Sequence, residues 1–321
     1  MIRTNKDRLA IISVEGHVVN PGHRGHHGVD SEGVPFLLPG TGGITFNIKV
    51  GDPAFGWAGD HLEPGVSTIL DEEKRQSYEN RGYNFIACIG NEAKVMSGEA
   101  KGAVGVVTGH HGGAEHVLMD FPDDALENLS HKDRIRIKGW GQGLRFLDWA
   151  KVTCYNLSPQ LLEKMSITET KQGLEIGVTA IIPGHLMGSG VGSLSMGSGD
   201  YDIMTTDKEQ LKQHNLGGLC FGDIVAITDH DNIYGRSYRK GAVTIGVIIH
   251  SDCRYAGHGP GVVTMIASPD GTIIPVIKEK QNLADYFGIG RKRAGMPNVP
   301  WVDSEKKPKK KPTRRYGRKK R

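Results

Sequence analysis

Histidine and acidic residues recur in short glycine-rich segments of the sequence. The segment Gly109-His-His-Gly-Gly-Ala-Glu-His places His110, His111 and Glu115 close together. Neutral imidazole binds zinc, iron, copper or nickel, and carboxylates readily join it. Because neighbours on a strand point to opposite faces, His110 and His111 share a site only if the flanking glycines break the strand. The segment predicts metal ligands at His110 and His111, with an exposed polar turn as the alternative.

A second segment combines histidine with aspartate at the end of an apolar run. His250 and Asp252 lie two residues apart, so both side chains can share one face of a strand end. A carboxylate beside an imidazole raises its basicity and fixes its tautomer. We therefore predict a catalytic His250–Asp252 pair, joined by His258 in the glycine-rich loop that follows. A hydrogen-bonded strand terminus is the alternative, and Cys253 is the cysteine we would test for reactivity.

Two aspartates, Asp200 and Asp202, alternate after a Gly-Ser-Gly turn. Two carboxylates on one side of an extended segment hold a divalent cation or share a proton. A turn in which the aspartates cap backbone amides is the alternative. Further along, Arg236 can clamp a carboxylate or phosphate of a substrate. Alternatively Arg236 and Arg239 pair with the aspartates of Asp229-His-Asp and only hold that loop.

The elements that must position these residues are mostly strands. Glycine makes up 45 of 321 residues, without a collagen period, and separates short runs rich in Val, Ile and Thr. Ten such runs predict strands: Leu9–Val14, Ile44–Val50, Phe85–Ile89, Ala103–Thr108, Ile135–Lys138, Ile176–Ile182, Ile224–Thr228, Ala242–His250, Val262–Ala267 and Thr272–Ile277. The sequence therefore predicts a mainly β fold, barrel-like or sandwich-like and α+β at the margin.

A few short helices are expected at the periphery. They are predicted at Leu70–Asn80, after the Ser158-Pro159 start signal, and at Asp207–Asn215 before a Gly-Gly stop.

A short internal sequence repeat, which we call the echo, suggests that the chain has two related halves. Lys101-Gly-Ala-Val and Lys240-Gly-Ala-Val each begin a β-branched run that ends in histidine, at an offset of 139 residues. The match suits two related β domains, or arises by chance. We predict an N-terminal domain over residues 1–155, a C-terminal domain over 156–295 and a tail over 296–321.

The charge is concentrated in that tail. Residues 306–321 carry eleven Lys or Arg and no acid, whereas the preceding 305 residues have a net charge of −7. Such a block stays unfolded when free and binds polyanions, since each neutralised phosphate releases counterions. A solubilising or targeting tail is the alternative. The predicted contacts to RNA or a ribosome are Lys309, Lys310, Lys311, Arg314, Arg315, Arg318, Lys319, Lys320 and Arg321.

Several classes of protein are disfavoured. Apolar runs are too short for a membrane span or a secretory signal, so we expect a cytoplasmic protein without membrane contact. Four dispersed cysteines disfavour a thiol zinc cluster or a dense disulfide framework. The glycine loops lack the Walker A lysine, and no G-x-S-x-G elbow is present.

Three segments carry a resemblance to a known family. They are Gly59-Asp-His-Leu-Glu-Pro-Gly-Val-Ser, the stretch from Asp229 to Asp252, and Gly257-His-Gly-Pro-Gly-Val. Over about residues 5–290 the sequence resembles the DUF4438 family, and this resemblance implies no particular catalytic residues. Pro183-Gly-His-Leu-Met-Gly-Ser-Gly is loosely similar to acetamidase/formamidase-like β-proteins, which implies a small-molecule hydrolase.

We predict metal-assisted hydrolysis of a small amide- or ester-like substrate. His110, His250 and either Asp200 or Asp202 would hold a divalent cation of unspecified identity, which lowers the pKa of a bound water. Asp252 would orient His250, and Arg236 would fix an anionic substrate group. The competing hypothesis is an RNA- or ribosome-associated module acting through the basic tail. A third is a structural subunit of a homo-oligomer.

Overall fold

The computed structural model describes residues 2–22 and 28–296. Within them the chain is mainly β, which confirms the predicted fold class. The strands are β1 (Ile11–Val18), β2 (Gly28–Val29), β3 (Pro35–Phe36), β4 (Ile44–Thr45), β5 (Gly65–Ile69), β6 (Glu92–Val95), β7 (Val104–His111), β8 (His116–Asp120), β9 (Arg134–Trp140), β10 (Thr153–Cys154), β11 (Ile167–Glu169), β12 (Leu174–Val178), β13 (Ala180–Pro183), β14 (Tyr201–Asp202), β15 (Ile224–Asp231), β16 (Ser237–Ile248), β17 (Gly261–Ser268) and β18 (Ile273–Ile277). The α-helices are α1 (Tyr78–Ile86), α2 (Asp123–Asn128), α3 (Pro159–Leu162), α4 (Lys208–Gln213) and α5 (Leu283–Phe287).

The N-terminal half forms a closed six-stranded barrel. Its strands follow the order β1-β9-β6-β7-β8-β5, and pairing of β5 with β1 closes the ring. Strand β9 shows why the sequence folds this way. Ile135 and Ile137 face the buried interior, while the alternating Arg134, Arg136 and Lys138 face solvent. The barrel core therefore follows directly from a period of two in the sequence.

The C-terminal half contains two further sheets. One has the order β10-β17-β16-β15-β13, with β14 also paired to β17. The other joins β11, β12 and β18, with β12 and β18 parallel. Strands β16 and β17 are buried over most of their length, as their Val- and Ile-rich sequences require. Because these strands are buried and paired, the residues at their ends are held in fixed positions.

The two halves share a hydrophobic core. Ile89 and Leu144 of the N-terminal half are fully or almost fully buried in one cluster with Ile245 and Ile266 of the C-terminal half. Gly109 in β7 lies so close to Ile249 that a Cβ there would stand 2.3 Å from the Ile249 Cγ2. A glycine is therefore needed where β7 approaches the end of β16.

Two predicted helices are present, and three predictions of local structure differ from the observed elements. Of the predicted strand Ile44–Val50, only Ile44–Thr45 forms a strand. Ser158 caps α3 through the backbone N–H of Leu161, and Asp207 caps α4. The predicted helix Leu70–Asn80 and strand Phe85–Ile89 are replaced by α1, whose N-cap is Ser77. The apolar residues at 85–86 were interpreted as a strand because the run is too short to show a helical period.

None of the described helices combines the length and the hydropathy that a crossing of the bilayer requires.

Candidate metal centre

A cluster of buried imidazole and carboxylate groups lies where the barrel meets the second sheet. His111 ends β7, Asp200 and Asp202 lie at β14, and His250 follows β16. All four side chains are at least nine-tenths buried. Strand ends thus bring together ligands that are up to 139 residues apart in sequence.

Three of these residues form a compact set of possible ligand atoms. One ligand atom each from His111, Asp200 and His250 lies within 4.8 Å of the other two. His250 Nε2 lies 2.9 Å from Asp200 Oδ2, and the rings of His111 and His250 stack with centroids 4.3 Å apart. We call these three residues the inner triad. Two imidazoles and one carboxylate are a typical ligand set for zinc and related cations.

Each member of the inner triad is fixed by a hydrogen bond on its far side. His250 Nδ1 donates to the carbonyl of Ser251 at 2.8 Å, so its Nε2 is the atom turned toward Asp200. Asp200 Oδ1 accepts the backbone N–H of Gly112 at 2.7 Å, which leaves Oδ2 for the site. This arrangement orients the ring and the carboxylate before any ligand arrives.

Glu63 fixes the third member. Its fully buried carboxylate lies 2.5 Å from His111 Nδ1 and about 3 Å from His116 Nδ1, and also accepts from Gly42 N and Ser67 Oγ. Burial alone would raise the pKa of Glu63, but the His116 and His111 imidazoles hold the pKa well below its usual value. Glu63 is therefore an anion that only accepts hydrogen bonds. His111 must donate from Nδ1 and present Nε2 to the site.

Two buried atoms of the inner triad lack a conventional partner. Within the described part of the chain, neither His250 Nε2 nor Asp200 Oδ2 has a well-aligned hydrogen bond. The two atoms lie 2.9 Å apart and face each other, so either a proton on His250 or a cation between them would join them. A Cβ on Gly261 would stand 1.9 Å from Asp200 Oδ2 and 2.3 Å from His250 Nε2. Glycine at position 261 keeps this space clear.

Charge balance in the cluster favours a cation. Burial would lower the pKa of His250, but the carboxylates of Asp200 and Asp202 raise it well above its usual value. Burial and the neighbouring His250 lower the pKa of His111. The two carboxylates therefore favour protonation of His250, whereas burial and the neighbouring His250 disfavour protonation of His111. A divalent cation supplies positive charge without protonating either ring.

A second layer of residues lies beside the inner triad, toward a cavity. His61 Nε2 lies 3.2 Å from His258 Nδ1 and 3.6 Å from Asp202 Oδ2. The adjoining cavity has a volume of about 550 Å³ and is lined by Asp60, His61, His111, Asp200, Asp202 and His258, together with several serines and glycines. Its size suits a small organic molecule.

The structure separates the two histidines of the β7 segment. His111 points into the cluster, whereas His110 Nε2 lies 2.5 Å from the carbonyl of Ala87 on the opposite face. Strand β7 continues to His111, so neighbouring side chains still alternate. Burial lowers the pKa of His110 to about 4, which keeps its ring neutral. His110 therefore lies outside the cluster, and of the two histidines only His111 offers a ligand atom there.

Two other predicted roles differ from the observed contacts. Asp252 does not hydrogen-bond His250; its Oδ1 accepts from Thr205 Oγ1 at 2.5 Å and from Cys253 N at 2.8 Å. The carbonyl of Ser251 orients His250 instead, because the chain turns directly after β16. Asp252 therefore stabilises the loop that follows β16 and does not orient the His250 ring.

Arg236 lies at the wall of the cavity, but its guanidinium is bound to backbone carbonyls of the protein. Its guanidinium donates to the carbonyls of Asp200 and Gly199 and stands 4.8 Å from the Tyr201 ring centre. With 2% of the residue exposed, it has little surface left for a substrate. Arg239 pairs with Asp231 at 3.0 Å, as in the structural alternative.

The remaining predicted residues form two groups. Asp200, Asp202, His250 and His258 come together in the cluster. Asp200 does bind a turn amide, but through one oxygen only. The nine basic residues predicted to contact RNA lie outside the described residues.

Sequence reasoning missed His61 and Glu63 as site residues. Both lie in Gly59-Asp-His-Leu-Glu-Pro-Gly-Val-Ser, the segment used only for the family resemblance. The internal repeat contained a second indication of the site. His111 and His250 are separated by its offset of 139 residues, and both echo runs end at the inner triad.

The comparisons with known proteins agree with this architecture. Residues 27–163 match the model described as "Domain of unknown function (DUF4438), N-terminal", and residues 164–287 match its C-terminal counterpart. The chain belongs to the DUF4438 family. Its boundary between models lies after residue 163, whereas the sequence predicted a domain boundary after residue 155.

The DUF4438 chain is also similar to a solved structure. The protein in "Crystal structure of TM1086" is 49% identical, with a TM-score of 0.84, and the match covers 89% of this chain and 99% of that one. No curated protein matches.

Proposed function

We propose that this DUF4438 protein is a metal-dependent hydrolase of small amide- or ester-like substrates, with a divalent cation held by His111, His250 and Asp200. The observation that carries the proposal is the buried set of ligand atoms from His111, His250 and Asp200, which lie within 4.8 Å of one another beside the cavity. Two imidazoles and one carboxylate leave a coordination position for water or substrate, as catalytic zinc sites do. A bound cation would lower the pKa of that water and polarise a substrate carbonyl.

The residues around the triad support this chemistry in different ways. Glu63 and the Ser251 carbonyl fix the two rings, so the ligands need not reorganise. Arg236 ties the backbone of Gly199 and Asp200 in place. The serine- and glycine-rich wall offers hydroxyl and backbone N–H groups to a small polar substrate. These features favour a small polar molecule over a long apolar one.

The experiment compares metal content and hydrolysis in matched variants of the full chain. His111→Asn and His250→Asn retain a donor near the Nδ1 position and remove Nε2, so the supporting hydrogen bonds are kept. His110→Gln is the control, because it retains a donor toward Ala87 outside the triad. We expect bound zinc, manganese or iron and hydrolysis of a panel of small amides and esters. Hydrolysis should be lost and the bound metal reduced in the triad variants, and both should be unchanged in the control.

The results that contradict the proposal are equally specific. Wild-type protein that binds none of these cations after chelation and re-addition would overturn the metal site. Metal binding without hydrolysis of any amide or ester in the panel would overturn the hydrolase assignment.

We propose binding of RNA through the basic tail as a second candidate function. It rests on the eleven Lys or Arg among residues 306–321. RNA affinity should fall steeply with salt and should be lost when residues 306–321 are deleted. Equal affinity with and without the tail would contradict it.

A further inference from the structure

A second set of ligand atoms lies beside the inner triad and shares no residue with it. One atom each from His61, Cys253 and His258 lies within 4.8 Å of the other two. We call these residues the outer triad. His61 and Cys253 are buried, and the His258 side chain is 30% exposed at the cavity. His61 and His258 of the outer triad line the same cavity as His111 and Asp200 of the inner triad.

The spacing of the outer nitrogens suits a shared cation. His61 Nε2 and His258 Nδ1 are 3.2 Å apart. Two nitrogens at the usual zinc distance of about 2.0–2.1 Å in tetrahedral geometry stand roughly 3.3–3.4 Å apart. Asp60 Oδ1 lies 3.4 Å from His61 Nδ1 on the other side of the ring. The nearby Asp60 carboxylate favours a proton on Nδ1 electrostatically, which leaves the Nε2 lone pair facing His258.

Asp202 connects the two triads. Its Oδ1 lies 3.5 Å from His250 Nε2, while its Oδ2 lies 3.0 Å from His258 Nδ1. The two oxygens of one carboxylate thus face ligand atoms of different triads. This is the arrangement of a carboxylate that bridges two cations.

We propose that the centre is binuclear, with a second divalent cation held by His61, His258 and Cys253 and with Asp202 bridging the two cations. The inference rests on the proposed function, because it places the second cation beside the inner one. The shared carboxylate and the adjoining cavity put both cations where one substrate can reach them. Such a pair would stabilise both the attacking oxygen and the leaving atom of the substrate, which is the nitrogen of an amide or the oxygen of an ester.

The test is the number of cations bound by each full-length variant. Chelator-treated protein is titrated with Zn²⁺ by calorimetry, and bound zinc is measured by mass spectrometry after desalting. His61→Asn retains a donor near Asp60 and removes Nε2, while His258→Ala alters a side chain at the cavity surface. We expect two Zn²⁺ per wild-type chain and one in each of these variants. His111→Asn should also bind one, and exposed His185→Ala should bind two.

Each alternative result overturns the inference in a recognisable way. One Zn²⁺ in the wild type, kept in His258→Ala and lost in His111→Asn, would refute the second cation and leave the proposed function standing. One Zn²⁺ lost in both His61→Asn and His250→Asn would indicate a single cation shared by His61, Asp202 and His250. No bound Zn²⁺ would refute both proposals.

Discussion

Glu63 and His111 form a buried pair in which the carboxylate stands 2.5 Å from Nδ1 and turns Nε2 toward His250 and Asp200. Glu63 is not one of the three ligand residues of the inner triad, but it contacts one of them, His111. It acts by fixing the tautomer and angle of a ring that does.

Replacing Glu63 should weaken metal binding without removing a ligand. Glu63→Gln keeps the shape of the side chain but loses the anion that accepts from both His111 and His116. We expect Zn²⁺ affinity to fall about 10–100-fold, in the range seen for such supporting residues. Competition with a chromogenic chelator measures it, with circular dichroism as the folding control. Unchanged affinity in a folded variant would contradict the role given to Glu63.

Adding a side chain at Gly261 should block the inner triad. An alanine Cβ there would stand 1.9 Å from Asp200 Oδ2 and 2.3 Å from His250 Nε2, so the two ligands must move apart. We expect Gly261→Ala to lose at least one bound Zn²⁺. Gly271→Ala is the control, because a Cβ at that position meets no atom within 4 Å. Equal zinc content in both variants would show that the space beside Gly261 is not used.

Metal should stabilise the fold through the inner triad. A ligand that binds only the folded chain adds about 2.7 kcal/mol to the free energy of unfolding when it is present at 100 times its Kd. We expect Zn²⁺ to raise the Tm of the wild type, and His250→Asn to lose all or most of that rise. An equal rise in both proteins would place the stabilising metal elsewhere.

Arg236 should affect stability more than substrate recognition. Arg236→Ala removes the donors to the carbonyls of Gly199 and Asp200, and hydrogen bonds from a charged group contribute about 1.5–3 kcal/mol each at most. We expect the free energy of unfolding to fall by about 3–6 kcal/mol, measured by urea denaturation. KM should change alike for anionic and neutral substrates. A rise in KM confined to anionic substrates would contradict this expectation and support the predicted role of Arg236 in binding an anionic substrate group.

Asp120 should give the fold a measurable pH dependence. Burial raises the pKa of Asp120 to about 6, although Arg293 opposes the shift. Because the folded pKa lies above the unfolded value, the contribution of Asp120 to stability is complete below about pH 4 and is lost as the pH rises through about 6. Relative to Asp120→Asn, the wild type should lose about 3 kcal/mol of unfolding free energy over that window. If the unfolding free energies of the two proteins change with pH in the same way, the raised pKa of Asp120 is contradicted.

The fold class could be predicted because β-strands can be recognised from local patterns in the sequence. The alternation of Ile135 and Ile137 with charged residues marks a barrel strand, and Ser158-Pro159 marks the start of α3. Helix α1 was missed because its apolar residues are few and its buried polar side chains, Asn80 and Asn84, follow no hydrophobic period. Closure of the barrel by β5 and β1 depends on a pairing between residues 50 apart, which no local pattern records.

The site was predicted in part for the same reason. His250, His258, Asp200 and Asp202 stand out because they interrupt glycine-rich loops at strand ends. The choice between His110 and His111 depends on which face of β7 meets the second sheet, and this is set by tertiary packing at Gly109. Glu63 was missed because a supporting carboxylate has no spacing rule relative to a histidine 48 residues away.

Anomalous diffraction from crystals of the full chain grown with Zn²⁺ tests the central claim most directly. Data collected on both sides of the zinc absorption edge should show a peak about 2.0–2.2 Å from His250 Nε2 and from an oxygen of Asp200, with His111 Nε2 as a further ligand. The account is contradicted if the cluster shows no zinc peak and His250 Nε2 remains 2.9 Å from Asp200 Oδ2 with nothing bound between them.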